Sequence, residues 1–254
     1  MDRPSPAAVR SRVWYGNIDA ALRYATVSEL MAERWTEGAD VLEVGSGAGG
    51  ITQFLDLPVT GLDLAFERTA VLATGWLRPV EGSALAMPFE DGSFDFVLSL
   101  EMLEHLDPAD REPALREMIR VLRPGGRLVA TFPADAAATE LDTWLNDRYR
   151  RKHGEDHPWV GEHLREGVPA TDEMAALVER LLPPGASVAV HKHMPAPAFK
   201  VVHWLYALEP LWPVTRPLGL HTRPFVRLLF DAVRRWRRGP AYRTIVVVDR
   251  GPAG

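Results

Sequence analysis

Through the first half of the chain, short apolar runs alternate with segments whose apolar residues recur every three or four positions. Asp40-Val-Leu-Glu-Val44, Val59-Thr-Gly-Leu-Asp63, Pro79-Val-Glu-Gly82, Phe94-Asp-Phe-Val-Leu-Ser99 and Arg127-Leu-Val-Ala-Thr-Phe132 read as strands, with Phe94, Phe96 and Val97 in the core. Helices are predicted from Asn17, as N-cap, to about Trp35; through Ile51, Phe54 and Leu55; from about Glu67 to Leu77; and from about Ala109 to Leu122. In the last of these Leu115, Met118, Ile119 and Leu122 share one face. Strands that alternate with helices need crossover connections, so the pattern predicts an α/β fold around a doubly wound, mainly parallel sheet.

After Pro133 the pattern loosens. Residues 134–168 are rich in charge and aromatic rings and read as an excursion over the sheet edge. Thr171 is predicted to cap a helix through Leu182, with Asp172 and Glu173 in its first turn. Ala186-Ser-Val-Ala-Val-His191 and Arg243-Thr-Ile-Val-Val-Val-Asp249 read as two strands. About 50 residues lie between them, too many for a hairpin loop, which implies a structured insert. The chain is therefore read as one domain over 1–254, with a ligand-binding core at 38–133, the excursion at 134–168 and an aromatic, basic helical insert at 194–241.

Composition narrows this picture. The 254 residues include no cysteine, which excludes disulfides, thiolate metal sites and cysteine nucleophiles. The N-terminal residues lack the apolar core of a signal peptide, and no apolar run approaches the ~18 residues of a membrane span, so a soluble, cytoplasmic protein is expected. The net charge of −5 hides a reversal of sign. Between Phe199 and Arg243 nine Lys or Arg face two acids, a local excess of about seven positive charges. In the same stretch Phe225, Leu228, Leu229, Val233 and Trp236 are expected on one helical face, with Arg227, Arg234, Arg235, Arg237 and Arg238 around it. Such a helix can contact an anionic membrane surface through 199–243, or pack as a cap on its own domain. No nucleic-acid partner is expected, because the insert shows no nucleic-acid module and the whole chain is acidic.

Candidate chemistry begins at Gly45-Ser-Gly-Ala-Gly-Gly50, directly after a strand. Gly45 and Gly47 allow positive φ and close approach of a ligand to the backbone. Asp63, at the end of the next strand, can accept protons from both ribose hydroxyls of a nucleoside. The loop satisfies both GxGxG and GxGxxG, so by itself it leaves a dinucleotide open.

Further motifs accompany it. Val41-Leu-Glu-Val-Gly-Ser-Gly-Ala-Gly49, Gly61-Leu-Asp63, Ala86-Met-Pro-Phe-Glu-Asp-Gly-Ser-Phe-Asp95, Glu101-Met-Leu-Glu-His105 and Arg120-Val-Leu-Arg-Pro-Gly-Gly126 follow in order. Together they resemble the successive motifs of class I S-adenosyl-L-methionine (SAM)-dependent methyltransferases, in particular those acting on small molecules, quinones, lipids and sugars. The resemblance implies a Rossmann-like sheet with an antiparallel last strand and SAM as cofactor. It places Glu43, Gly45, Ser46, Gly47 and Gly49 at the methionine part, Asp63 at the ribose, Leu64 on adenine, Ser83 and Ala84 at the adenine edge, and Glu101 near the cofactor. Many relatives carry an acid where this chain has Ser83. Trp144-Leu-Asn-Asp-Arg-Tyr149, His157-Pro-Trp159, Glu162-His163 and Gly167-Val-Pro169 are similar to methyltransferases of cell-surface glycan assembly, which implies a lipid-linked glycan acceptor.

Methyl transfer from a sulfonium is an in-line displacement, in which alignment of the acceptor matters most. A hydroxyl acceptor also needs a base, for which histidine is suited. His105, His157 and His163 are the candidates, and Trp159 could stack on a sugar or aromatic ring. His191-Lys-His193 has no acidic cluster beside it, and no metal site is expected. Two other readings remain open: an NAD-dependent oxidoreductase using the same loop and Asp63, and a catalytically silent scaffold. A nucleic-acid base methyltransferase fits less well, because the fourth strand ends in Leu-Ser-Leu-Glu101 rather than in Asn/Asp-Pro-Pro-aromatic.

Overall fold

A computed structural model describes residues 6–14, 17–47, 49–66, 75–206 and 222–252. Seven strands, β1 (Val41–Val44), β2 (Val59–Asp63), β3 (Leu77–Glu81), β4 (Phe94–Leu100), β5 (Leu122–Pro133), β6 (Ser187–Pro195) and β7 (Ala241–Asp249), form one sheet in the order β3-β2-β1-β4-β5-β7-β6. The pairs from β3 to β5 are parallel. β7 runs antiparallel to both β5 and β6. This is the doubly wound α/β arrangement, with the antiparallel last strand, that the sequence implies.

Strand alternation divides the core. Phe96, Leu98 and Leu100 of β4, Val129 of β5 and Ile245 and Val247 of β7 join one apolar cluster. Val97, Leu128, Ala130, Val246 and Val248 join the other. The first face is covered by α1 (Pro6–Arg12), α2 (Ile18–Ala32), α4 (Asp135–His153), α7 (Ala196–Tyr206) and α8 (Arg223–Arg235). The second is covered by α3 (Arg111–Val121), through Leu115, Met118 and Ile119, and by α6 (Thr171–Leu181), through Met174 and Val178. A strand buried on both sides reads as a continuous apolar run, which is why β1, β4 and β5 stand out in the sequence.

Several boundaries and caps differ from expectation. Asn17 makes no capping bond; its Oδ1 accepts from Trp14 N at 2.8 Å, its amide donates to Arg12 O, and so it staples α1 to α2. The expected helix after the glycine loop is only a 3₁₀ turn, Gly50–Gln53, since Pro58 and the start of β2 leave it no length. Residues 67–74 of the helix expected at 67–77 lie outside the described residues, and Leu77 belongs to β3. Thr171 does not cap α6. Its N–H and hydroxyl both donate to Asp135, the first residue of α4, so the neighbouring helix closes this end. The 134–168 excursion consists of α4 and α5 (Pro158–Glu166).

In the insert, the buried face of α8 is Val226, Phe230 and Val233, whereas Leu228 is 66% exposed. That face packs on its own domain beside α2, and Arg234 of α8 pairs with Glu29 of α2. The apolar side expected at Phe225, Leu228, Leu229, Val233 and Trp236 is therefore rotated, and its buried part serves the cap. Trp212 of the same insert lies outside the described residues. Among the described residues no helix is long and apolar enough to cross a membrane.

Candidate active site

The glycine loop leaves β1 at Val44 and crosses the carboxyl end of the sheet. Gly45, with φ of 75°, donates its N–H to Leu62 O at 2.8 Å. A Cβ there would stand 2.4 Å from Met102 Cγ. Gly47, with φ of 45°, has open space instead: a Cβ would meet only Asp63 Oδ2, at 4.0 Å. This is bare backbone that a ligand can approach closely. Asp63 Oδ2 accepts Gly47 N–H at 2.8 Å and Oδ1 accepts Leu64 N–H at 2.8 Å, so the carboxylate is fixed at the tip of β2. Leu64 beside it is 77% exposed, a largely open apolar side chain. These features fit a nucleoside with an apolar contact for its base.

Glu43 stands directly beneath the loop. It is 1% exposed and accepts Ile51 N–H at 2.8 Å, bracing the loop from beneath rather than lining the open space. Burial pushes its carboxyl up to about 7 despite the bonds from Ile51 and Tyr24. Gly49 is likewise buried at the base of the loop. Ser83 Oγ accepts Leu85 N–H in a tight turn with half-buried Ala84, so its hydroxyl oxygen is already engaged.

A cavity of 1410 Å³ opens beside Gly45, Ser46 and Gly47 and reaches His105, His157 and His163. Glu101 lines it immediately after β4, at φ of 59°, a backbone conformation uncommon for a side-chain-bearing residue. Its Oε2 accepts from Arg243 Nε at 2.8 Å and its Oε1 from Thr131 Oγ1 at 3.0 Å. Burial pushes Glu101 up, but Arg243 and Arg23 outweigh it and hold the carboxyl below its ordinary range. Arg243 also donates to Asp19 at 3.3 Å and lies across the rings of Phe199 and Tyr242.

The far end carries a histidine pair. His163, on α5, is 7% exposed, and its Nδ1 meets Asp142 Oδ2 at 3.0 Å. Asp142 is fully buried and accepts from Tyr242 Oη through its other oxygen. With Nδ1 committed, His163 Nε2 is buried without a partner among the described residues. His105 stands with its ring 4.8 Å from that of His163, and its Nδ1 meets Glu162 Oε2 at 2.9 Å. Burial, then His163, push the His105 pKa down against the pull of Glu162. Glu104 is fully buried, with neither carboxyl oxygen bonded to a described residue. Burial and then Glu101 raise its pKa well above the usual carboxylate range. His157 instead caps α5: its Nδ1 accepts Val160 N–H at 3.3 Å, with Pro158 opening the helix.

Sequence reading thus found the loop, Asp63, Glu101 and two histidines of the pair, but not Asp19, Arg23, Tyr24, Glu104, Asp142, Tyr242 or Arg243. One signal was available for the last: a lone arginine at the head of the Val-rich strand 243–249. The others come from α2, the 3₁₀ turn Leu103–His105, α4 and, for Tyr242, β7, far apart in sequence. No metal ligands were expected, yet Glu104, His105 and His163 each place a ligand atom within 4.8 Å of the others.

Residues 42–130 match the family model described as "Methyltransferase domain". Residues 42–130 carry a class I SAM-dependent methyltransferase domain. The match sets the glycine loop within a SAM-dependent methyltransferase domain rather than a dinucleotide-binding one. Norajmaline N-methyltransferase of Rauvolfia serpentina is 33% identical over 124 residues, 44% of this chain and 41% of that protein. Chloroplastic tocopherol O-methyltransferase of Arabidopsis thaliana is 32% identical over 229 residues, 85% of this chain and 60% of that protein. The chain thus spans about two-fifths to three-fifths of these relatives' length. Haemonchus contortus phosphoethanolamine N-methyltransferase 2, solved in complex with SAM, shares the methyltransferase fold. It aligns with a TM-score of 0.54 at 16% identity, over 89% of this chain and 52% of that one.

Proposed function

We propose that this chain transfers the methyl group of SAM to a hydroxyl of a small-molecule acceptor held between the glycine loop and helices α4 and α5. The observation that carries this reading is the single cavity joining bare backbone at Gly47 to a carboxylate-backed histidine pair. Small-molecule sites occupy about 300–1,000 Å³, so 1410 Å³ leaves room for cofactor and acceptor together. Gly45, Ser46, Gly47 and Asp63 would hold the cofactor, Leu64 and Ala84 its adenine, and Glu101 would stand beside its methionine part. SAM supplies an electrophilic methyl on a sulfonium. The acceptor oxygen forms the new bond to that carbon as the C–S bond breaks. The electron pair of that C–S bond would stay on sulfur as a neutral thioether, and the hydroxyl proton would leave to solvent. An amine brings its own lone pair, whereas a hydroxyl needs activation, so His105 and His163 at the acceptor end favour oxygen. His157 acts as a positioning residue, through the start of α5.

The rim suggests the kind of acceptor. Arg148, Arg151 and Lys152 of α4 line the cavity, and Trp159, 70% exposed, lines it from α5. Cations beside an open indole suit an anionic acceptor with a sugar or other flat apolar face, such as a phosphate-linked or lipid-linked glycan. The test is transfer of labelled methyl from SAM to sugar phosphates, lipid-linked sugars, phenols and matched amines. O-methyl product with one equivalent of S-adenosylhomocysteine is expected. Label on amines alone, or none on any acceptor from protein that binds SAM, would overturn the reading.

A further inference from the structure

We propose that Glu104, His105 and His163 form a binding site for one divalent first-row transition cation at the acceptor end of the cavity. The proposal rests on the reading of this end as the place where the acceptor oxygen is held. Its three donors lie within 4.8 Å of one another. Each histidine has its Nδ1 turned onto a carboxylate, Asp142 for His163 at 3.0 Å and Glu162 for His105 at 2.9 Å. That leaves Nε2 as the atom each imidazole offers. A carboxylate behind a ligating histidine fixes its tautomer and raises its basicity, and this outer support recurs around protein metal sites.

Independent signs point to a missing ligand. Both oxygens of fully buried Glu104 and Nε2 of buried His163 lack partners among the described residues. Leaving such groups unsatisfied costs free energy. One cation bound among them would satisfy all three atoms at once. Glu101, three residues before Glu104 and lining the same cavity, shows the contrast: its carboxyl is already paired with Arg243 and Thr131.

The donor set selects the ion. Two imidazoles and one carboxylate suit zinc, manganese, iron(II) or cobalt better than calcium or magnesium, which favour all-oxygen shells. Ligand atoms bind such ions at about 2.0–2.2 Å, so the set draws inward by about an ångström on binding. Three protein ligands leave a position open to the cavity, where an acceptor hydroxyl oxygen can bind and lose its proton to water more readily. Hydroxyl methylation then needs no dedicated protein base.

The experiment uses tag-free full-length protein, stripped with a chelator and titrated with Zn²⁺ and with Mn²⁺ by calorimetry, alongside metal analysis of the isolated protein. One equivalent should bind to the wild type and to His191→Ala, a control for surface histidine. Glu104→Gln and His163→Ala should lose the site while still binding SAM, which shows that they fold. Glu162→Gln should weaken the ion by about 10–100-fold, the effect of removing support behind a ligand. No uptake by wild-type protein that binds SAM, or equal uptake by Glu104→Gln, overturns the proposal, as does full methyl transfer by the stripped enzyme. A bound ion with no transfer to any hydroxyl leaves the site standing and overturns the hydroxyl reading.

Discussion

Asp63 is tied to Gly47 and Leu64 by its own carboxylate, so one side chain both shapes the loop and offers a ribose partner. Asp63→Ala should remove measurable SAM binding in a calorimetric titration, while circular dichroism stays that of the wild type. Undiminished binding would show that the loop backbone alone holds the cofactor. Arg243 has a larger structural burden. It is 3% exposed and pairs with Glu101, itself nearly buried, and with half-buried Asp19, and its charge helps to hold both carboxyls below their ordinary range. Breaking a buried ion pair from one side costs about 3–5 kcal/mol, because the abandoned charge stays buried. Arg243→Met should therefore lower the melting temperature by about 10 °C, at a few degrees per kcal/mol for a chain of this size. A shift within a degree or two would mean that water or a rearranged Arg23 compensates.

At the scale of elements, β6 is held to α2 by a partly buried polar contact, Thr26 Oγ1 to His193 Nε2 at 2.9 Å. Burial, then the Arg243 charge, push the His193 pKa down to about 3, with Arg237 and Arg234 adding and Glu101 opposing. An unfolded histidine titrates near 6.5. Between about 6.5 and 3 the unfolded chain thus binds a proton that the folded chain does not, and stability falls as pH drops through that window. His193→Gln should lose less stability than the wild type between pH 7.5 and pH 5 in urea unfolding; equal losses would contradict a neutral buried imidazole. The same scale explains His163. Placed on α5 and pressed against α4, it becomes half of a buried pair with Asp142, 21 residues earlier.

For the whole molecule, a ligand that binds only the folded state stabilises it by mass action, about 2.7 kcal/mol at a hundredfold excess over its dissociation constant. S-adenosylhomocysteine at that excess should raise the melting temperature by about 5–10 °C, with no shift from NAD; the reverse pattern would restore the oxidoreductase reading. The mainly parallel sheet with its antiparallel last strand and the glycine loop were legible because they depend on local rules. Apolar runs such as Val97–Leu98 mark buried strands, and glycines at Gly45 and Gly47 mark a loop that must bend and stay bare. How the acceptor end is built was not legible, because Glu104, Asp142 and Tyr242 join His105 and His163 there only once α4, α5 and β7 converge. Nothing in a local stretch signals that Glu104 will be buried unpaired, or which side of α8 will face its own domain. The sequence by itself determined the class of fold and the donor's binding loop, since backbone conformation and apolar periodicity are written residue by residue. Tertiary structure alone decided the charge network, the histidine pair and the shape of the acceptor pocket, since burial and pairing of charges are properties of the space between elements.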